Sequence, residues 1–353
     1  MSDTQPAPQP DYPRKVITVT LNPSLDRTIV THFLALGYQN RVIETTRLDP
    51  AGRAITISRA LHSMGIPTHA IVLVGHGPTG RAYQALLAEE QFPISILRRN
   101  GRTRSNIIIK DTGHEHETMI MEEAEGATEE DLKQVEETLA EIIRPNDAIV
   151  FAGSLPGGLK ADSYAGLTDI AQEAGALVYI NAGGGEPLQE SLKARPRLIY
   201  LTQIQMEGLF NFPIRTDTDV IACAHQLQDM GAARVLVAMP QIDSAVLVAE
   251  EGTWLIDLSD TAEGTRTGQT EALLAGYLAG RIRQRSLEEA LQLGAATAAY
   301  ATSQIGHEFG SIKDVETYAE DVNVTSVDNL EQLLDEFNQR PDIGAVQPQP
   351  PSE

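Results

Sequence analysis

The stretch EGTRTGQTEALLAGYLAG, residues 263–280, decides how the chain is read. A glycine-bearing loop runs directly into an apolar helix rich in alanine and leucine. A helix start leaves backbone N–H groups without intrahelical partners, and these stabilise negative charge. Yet Glu271, itself an anion, sits at that start. Three readings stand: a phosphate-binding catalytic turn, an altered one, or a capped helix. In the last, Glu271, third after Gly268, is a first-turn acid favoured by the helix dipole.

Outward from this stretch, short β-type runs alternate with helical patterns. KVITVTLN (15–22), HAIVLVG (69–75), AIVFAG (148–153), ALVYINAG (176–183), RLIYLT (197–202) and ARVLVAMP (233–240) read as buried strands. TISRALHSMG (56–65), GRAYQALLAEE (80–90) and EEDLKQVEETLAEII (129–143) read as helices. The βαβα succession predicts an α/β fold, a central, mostly parallel sheet with helices on both faces. Ligands in such sheets bind beyond the carboxyl ends of the strands. Extended segments within 24–50 and 94–123, including ISILRR (94–99), interrupt the rhythm and predict a small accessory sheet acting as a lid or dimer contact.

The 353 residues fit one large α/β domain or two smaller ones, and 42% hydrophobic content is enough for a substantial core. A formal charge of −22 argues against nucleic acid or an anionic membrane surface as partner. The single cysteine, Cys223, excludes an intramolecular disulfide and a cysteine metal cluster, and fits a cytoplasmic setting. The longest apolar runs fall far below the roughly 18 residues of a spanning helix. Residues 1–14 read as a disordered leader, 15–322 as the folded domain, 323–338 as an added C-terminal helix and 339–353 as a disordered tail.

Four further segments carry candidate chemistry. In LNPSLDRT (21–28), Asn22-Pro23 stops a strand and Asp26 follows, suited to accept hydrogen bonds from sugar hydroxyls or to make an Asx-type turn. In DPAGRAITISRAL (49–61), Arg53 near a helix start suits a phosphate, or is a solvated surface charge. NGRTRSNIIIK (100–110) sets Arg102, Arg104 and Lys110 on one face by alternation, as an anion site or a charged edge strand. FAGSLPGGL (151–159) ends a strand in small residues that permit close backbone approach, with Ser154 as a donor, or forms a plain turn. No metal motif stands out, since His114-Glu115-His116 has the wrong spacing for a helical ligand pair. NAGGGEPL (181–188) lacks a dinucleotide fingerprint in register.

Together, LNPSLD, Asn40-Arg41, TRSN (103–106), GSLPGGL (153–159) and AGYLAG (275–280) stand in an order and spacing that resembles the PfkB branch of the ribokinase-like sugar kinases, of the 1-phosphofructokinase and tagatose-6-phosphate kinase kind. The resemblance runs from about Val16 to about Tyr318. It implies a parallel sheet flanked by helices, a β-sheet lid that makes a homodimer contact, and transfer of the ATP γ-phosphoryl group to a primary hydroxyl of a sugar phosphate. By resemblance, Asp26 holds sugar hydroxyls. Arg41, Arg53, Arg104 and Ser154 bind the substrate phosphate, with Asn106 in support. Mg-ATP is the implied cofactor.

The same resemblance exposes departures on the nucleotide side. The family's glycine-glycine-lysine-glycine reads Ala51 to Ala54 here. Thr202 stands for an asparagine and Gln205 for a glutamate that helps arrange magnesium. Ala238-Met239-Pro240 replaces a serine-leucine-glycine against which ATP lies, and proline removes an N–H. The signature glycine-alanine-glycine-aspartate, whose aspartate is the base and whose N–H groups stabilise the transferring phosphoryl group, reads Gly268-Gln269-Thr270-Glu271. Glu271 keeps the carboxylate but moves it out by one methylene, about 1.5 Å. Misplacement near 1 Å costs about 10²-fold and loss of a preorganised donor roughly 10²–10³-fold. The expectation is therefore a homologue that binds a phosphorylated ketohexose with phosphoryl transfer weakened or lost, a sensor or regulatory pseudokinase. The alternative is an active hexose-phosphate kinase using Glu271 as base.

Overall fold

The computed structural model describes residues 12–43, 47–240, 243–258 and 264–338. The apolar runs build a ten-stranded sheet around β1 (Val16–Thr20). Parallel neighbours run from β1 through β4 (Thr68–His76) to β5 (Ile94–Arg102) on one side. On the other they run through β8 (Ala148–Gly153), β9 (Leu177–Ala182) and β10 (Leu198–Thr202) to β11 (Arg234–Met239). Three antiparallel strands follow at that edge, β12 (Ser244–Ala249), β13 (Gly252–Asp257) and β14 (Asn323–Ser326). A separate four-stranded lid has β2 (Ser24–Thr31) between β3 (Arg47–Ala51) and β6 (Arg104–Asp111), with β7 (His116–Met121) beyond β6.

Alternation along the buried strands feeds two apolar layers. Ile17, Val19 and Leu21 join Phe151, Ile180 and Leu201 under α3 (Glu129–Ile142) and α7 (Asp217–Asp229). Val16, Val150, Tyr179 and Tyr200 face α1 (Arg53–Ser63), α8 (Gln269–Ile282) and α9 (Leu287–Thr302). On that second face, buried polar positions are satisfied by α1. Thr18 and Ser58 hydroxyls lie 2.7 Å apart, and Ile55 N–H donates to Thr20 Oγ1 at 2.9 Å. The helix of the opening stretch packs closely on α9 because Gly276 has no side chain: a Cβ there would lie 2.3 Å from Thr297 Oγ1 and 2.6 Å from the Leu293 carbonyl oxygen. Neighbouring strands leave β1 in opposite directions, so the crevice opens at the carboxyl ends beside it.

Several sequence expectations change. ISILRR belongs to β5 in the main sheet, not to the lid. The chain crosses into the lid at Thr103, whose Oγ1 accepts from Gly75 N–H at 3.0 Å while its carbonyl accepts from Thr79 Oγ1 at 2.7 Å. Arg102 and Arg104 therefore sit on different strands and share no face; exposed Arg102 pairs with Glu125 at 3.2 Å. Lys110 keeps the parity of Arg104 but lies near the far end of β6. The helix expected over 56–65 is α1, and that over 80–90 is α2 (Gly77–Leu87), each starting three residues earlier. Residues 12–14, expected in the leader, join the domain: Arg14 N–H donates to the Asn146 carbonyl at 2.9 Å, and the Arg281 guanidinium lies 4.8 Å from the Tyr12 ring centroid. The C-terminal extension is not helical throughout, because its first residues form β14 before α11 (Leu330–Asn338). Phe337 is buried against Phe212, ring centroids 6.1 Å apart. The rest of the expected leader and the expected tail lie outside the described residues.

Candidate active site

A cleft of about 330 Å³ lies between the lid and the start of α8. Its lid wall begins where Asn22-Pro23 ends the buried path of β1 and the chain turns into β2. The β2–β6 register pairs Asp26 with Asn106, whose Nδ2 donates to Asp26 Oδ1 at 2.9 Å. His307, from the loop after α9, places Nε2 3.4 Å from Asp26 Oδ2. Burial pushes the Asp26 carboxyl up, but His307, with hydrogen bonds from Ser24 and Asn106, outweighs it and holds the group below its ordinary value. Asp26 is therefore a buried, ionised acceptor. It is not simply a turn residue.

Arg104 opens β6 in the same wall. Its Nη2 reaches the Asn22 carbonyl at 3.5 Å, while its buried Nε has no hydrogen-bond partner. Burial pushes this guanidinium down from its ordinary value, against the pull of Asp26 and with the help of Arg53. It remains a cation. An unmatched buried N–H on a cation is a built-in demand for an anion or a strong acceptor.

Arg53 enters from the floor. Gly52 precedes it at φ 133°, and a Cβ there would meet Thr20 Cγ2 at 2.8 Å. Arg53 Nη1 donates to Asn181 Oδ1 at 2.6 Å, and its Nε lies 3.7 Å from Glu271 Oε1. Glu271 is 7% exposed and accepts from Thr270 Oγ1 at 3.0 Å. Its carboxylate lines the cleft, so its contacts are with side chains of the site. Burial, then Glu271, pushes the neighbouring Tyr200 hydroxyl well above its ordinary value. Gly268, at φ 89°, brings the α8 turn against His307; a Cβ there would lie 3.1 Å from His307 Nδ1.

Of the expected residues, Asp26, Arg53, Arg104, Asn106, Gly268, Thr270 and Glu271 meet in this cleft. Five others do not line it. Arg41 is exposed on the arm after β2, its carbonyl accepting from Thr31 Oγ1 at 3.3 Å. Ser154 is exposed and bonded to Asn22 Nδ2 at 3.0 Å. Thr202 and Gln205 form a capping box at the start of α6 (Gln203–Phe210). Gln205 Oε1 accepts from Thr202 N–H at 2.8 Å and Thr202 Oγ1 at 3.2 Å, and Nε2 donates to the Ala182 carbonyl at 2.9 Å. Position 205 thus offers magnesium neither charge nor an open oxygen. Among the described residues, no group of three or more His, Cys, Asp or Glu is placed to hold a metal ion.

Gln269 turns away from the cleft, and its Nε2 donates to Asp243 Oδ1 at 3.2 Å. Asp243 sits at the β11–β12 turn, where Met239 pairs with Ser244. The same carboxylate is gripped by Arg266 through both Nη atoms, Nη2 to Oδ2 at 3.0 Å, while Arg266 Nη1 also donates to the Pro240 carbonyl at 2.6 Å. From the lid, Glu117 accepts from Arg266 N–H at 3.0 Å and Thr267 Oγ1 at 2.6 Å. Sequence reasoning missed Glu117, Asn181, Asp243, Arg266 and His307. Arg266 was discoverable as the cation within the loop of 263–280; the other four lie on separate segments and have no local signature.

Chemically, the cleft combines an ionised acceptor for hydroxyls, three arginines, of which Arg266 is held by Asp243, and a carboxylate at a helix start. Residues 19–314 match the model of the "pfkB family carbohydrate kinase". The 1-phosphofructokinase of Bacillus subtilis (strain 168) is 29% identical over 310 residues, covering 88% of this chain and 99% of that protein. The ATP-dependent 6-phosphofructokinase isozyme 2 of Escherichia coli (strain K12) is 25% identical over 305 residues, covering 86% and 97%. The crystal structure of Escherichia coli phosphofructokinase-2 in complex with fructose-6-phosphate superposes with a TM-score of 0.76 at 25% identity, covering 87% of this chain and 98% of that one. A possible 1-phosphofructokinase from Thermotoga maritima shares the fold, with a TM-score of 0.78 at 23% identity over 89% and 99%. The chain belongs to the pfkB family of carbohydrate kinases.

Proposed function

We propose that this chain binds a phosphorylated ketohexose in the cleft and that its phosphoryl transfer is lost or severely weakened. The observation that carries this reading is a contrast within one site. On the acceptor side, the Arg104 Nε is buried and unmatched beside an ionised Asp26. On the donor side, Gln205 is consumed in a helix cap and Gln269 in a contact with Asp243. The sugar phosphate's anion neutralises Arg104 and Arg53, and its hydroxyls donate to Asp26. Glu271, the acid in the first turn of α8, is paired with Arg53 and Thr270. The second reading, an active kinase with Glu271 as base, draws on the fact that this carboxylate still lines the cleft.

A homodimer through the lid belongs to the same proposal. Leu48, Ile107 and Ile120 expose apolar side chains on the lid sheet, and Phe33, Leu36, Tyr38, Val42 and Ile43 do so on the arm after β2. A cluster of this kind favours a partner surface over water, and a second copy of the lid is the partner proposed. A cytoplasmic setting is also proposed, in line with the lone thiol: burial, then Asp219, pushes Cys223 up to about 12.

The test is an assay for ADP formation with fructose 1-phosphate, fructose 6-phosphate and tagatose 6-phosphate, each paired with direct binding of the sugar phosphate alone. Saturable binding with negligible turnover supports the proposal. Turnover above about 1 s⁻¹, within the ordinary enzyme range, overturns it in favour of Glu271 as a working base.

A further inference from the structure

Asp243 and Gln269 lie outside the cleft lining, to which Arg266 belongs, and the acceptor side of the sugar-phosphate reading does not account for the contact that joins the three. Arg266 precedes Gly268 by two residues, and Gln269 is the first residue of α8. Both donate to the same carboxylate, which comes from a different part of the chain, the turn between β11 and β12. Arg266 also binds the Pro240 carbonyl. The contact therefore ties the loop before α8 to the end of β11, the segment Ala238-Met239-Pro240 against which ATP lies by the family resemblance. A fork of two guanidinium N–H groups, a side-chain amide and a helix start form the kind of donor set that takes a phosphate. Here that donor set is already filled by a carboxylate. Gln269 is buried, and its Oε1 has no hydrogen-bond partner.

We propose that Asp243 is a built-in occupant of the donor-phosphate seat, and that Asp243, Arg266 and Gln269 together keep a polyphosphate out. The proposal rests on the family reading of where the donor enters. An incoming polyphosphate must replace one carboxylate on Arg266 and approach two more, Glu117 on the Arg266 N–H and Glu271 at the α8 turn. Gln269 makes the seat selective for Asp243: a small residue there would leave Arg266 alone to hold the carboxylate. Asp243 sits at φ 46°, in the left-handed region that asparagine tolerates. Asp243→Asn therefore removes the charge without forcing the turn.

The experiment measures binding of Mg-ATP and of inorganic tripolyphosphate to the full chain by calorimetry, for the wild type, Asp243→Asn, Asp243→Ala and Asp243→Asn/Arg266→Gln, with melting curves confirming folded protein. The expected result is at least tenfold tighter polyphosphate binding in both single variants and reversal of that gain in the double variant. A gain with Mg-ATP alone assigns the seat to a nucleotide; a gain with both assigns it to the phosphates. Equal affinities in the wild type and the single variants overturn the proposal. A gain that survives Arg266→Gln also overturns it, since the effect would then be general charge relief. ADP formation by the wild type refutes the loss of transfer separately: if it occurs while Asp243→Asn still tightens Mg-ATP tenfold, the occupied seat stands and the functional reading falls.

Discussion

The two walls of the cleft were built from similar materials and ended differently. On the lid wall, Asp26, Asn106 and Arg104 converge through the β2–β6 register, and Arg104 keeps a buried N–H unmatched. On the α8 wall, Arg266 is bonded to Asp243, which also holds Gln269; outside the lining, Gln205 is bonded to Thr202. An under-satisfied polar wall seeks a ligand, whereas a satisfied one must break contacts to bind one. Under the proposed function, that difference separates recognition of a sugar phosphate from transfer to it.

The largest effect that tests this contrast is Arg104→Met. It should weaken sugar-phosphate binding about 10²-fold, as expected for loss of charge-assisted hydrogen bonds in a buried site. Arg102→Met, altering an exposed arginine paired with Glu125, should leave calorimetric affinity within about twofold. Equal losses would erase the distinction between the wall and its rim.

Next in size is repair of the α8 turn. Glu271→Asp alone should change ADP formation by less than about threefold, because Gln269, Thr270 and Gln205 remain. Gln269→Ala/Thr270→Gly/Glu271→Asp should exceed the single variant by at least about tenfold, the scale of one restored donor or a carboxylate re-placed by about 1 Å. Full recovery from Glu271→Asp alone would contradict the role given to its neighbours.

Much of this contrast was legible in the sequence, and the limits have physical causes. The parallel sheet followed from buried apolar runs alternating with helical ones, and the approach of Asp26 to Arg53 and Arg104 from loops expected at carboxyl strand ends. The placement of ISILRR was not legible, because one strand's alternation fits either sheet; the parallel ladder with β4 commits it to the main one. By the family resemblance Gln205 marks a lost carboxylate, but Thr202-x-x-Gln205 is also a capping-box signature, and the structure makes it a cap. Glu271 is a first-turn acid of α8, as the capped-helix reading expects, and also lines the cleft. Asp243 and His307 could not be found by local reading, since each acts across a long chain separation.

Gln205→Ala sharpens the assignment of the donor wall at smaller scale. Loss of the reciprocal cap should cost about 1 kcal/mol in denaturant unfolding while leaving sugar-phosphate affinity within about twofold. A large affinity loss with unchanged stability would return Gln205 to the binding machinery.

The smallest effect is in pH. Asp26 is held below its ordinary value of 3.8, so its stabilising contribution is present above that pH and fades as pH falls through the lower folded-state value. Asp26→Asn should flatten the acid limb of the unfolding curve below about pH 4 and leave the slope near pH 7 unchanged. An unchanged acid limb would mean that His307 and Asn106 do not favour the charged form.

The most direct measurement is a calorimetric titration of the wild-type protein, first with fructose 1-phosphate and then, on the saturated complex, with Mg-ATP. The account predicts saturable heat in the first step and none attributable to binding or turnover in the second. Saturable Mg-ATP binding accompanied by ADP release would contradict it.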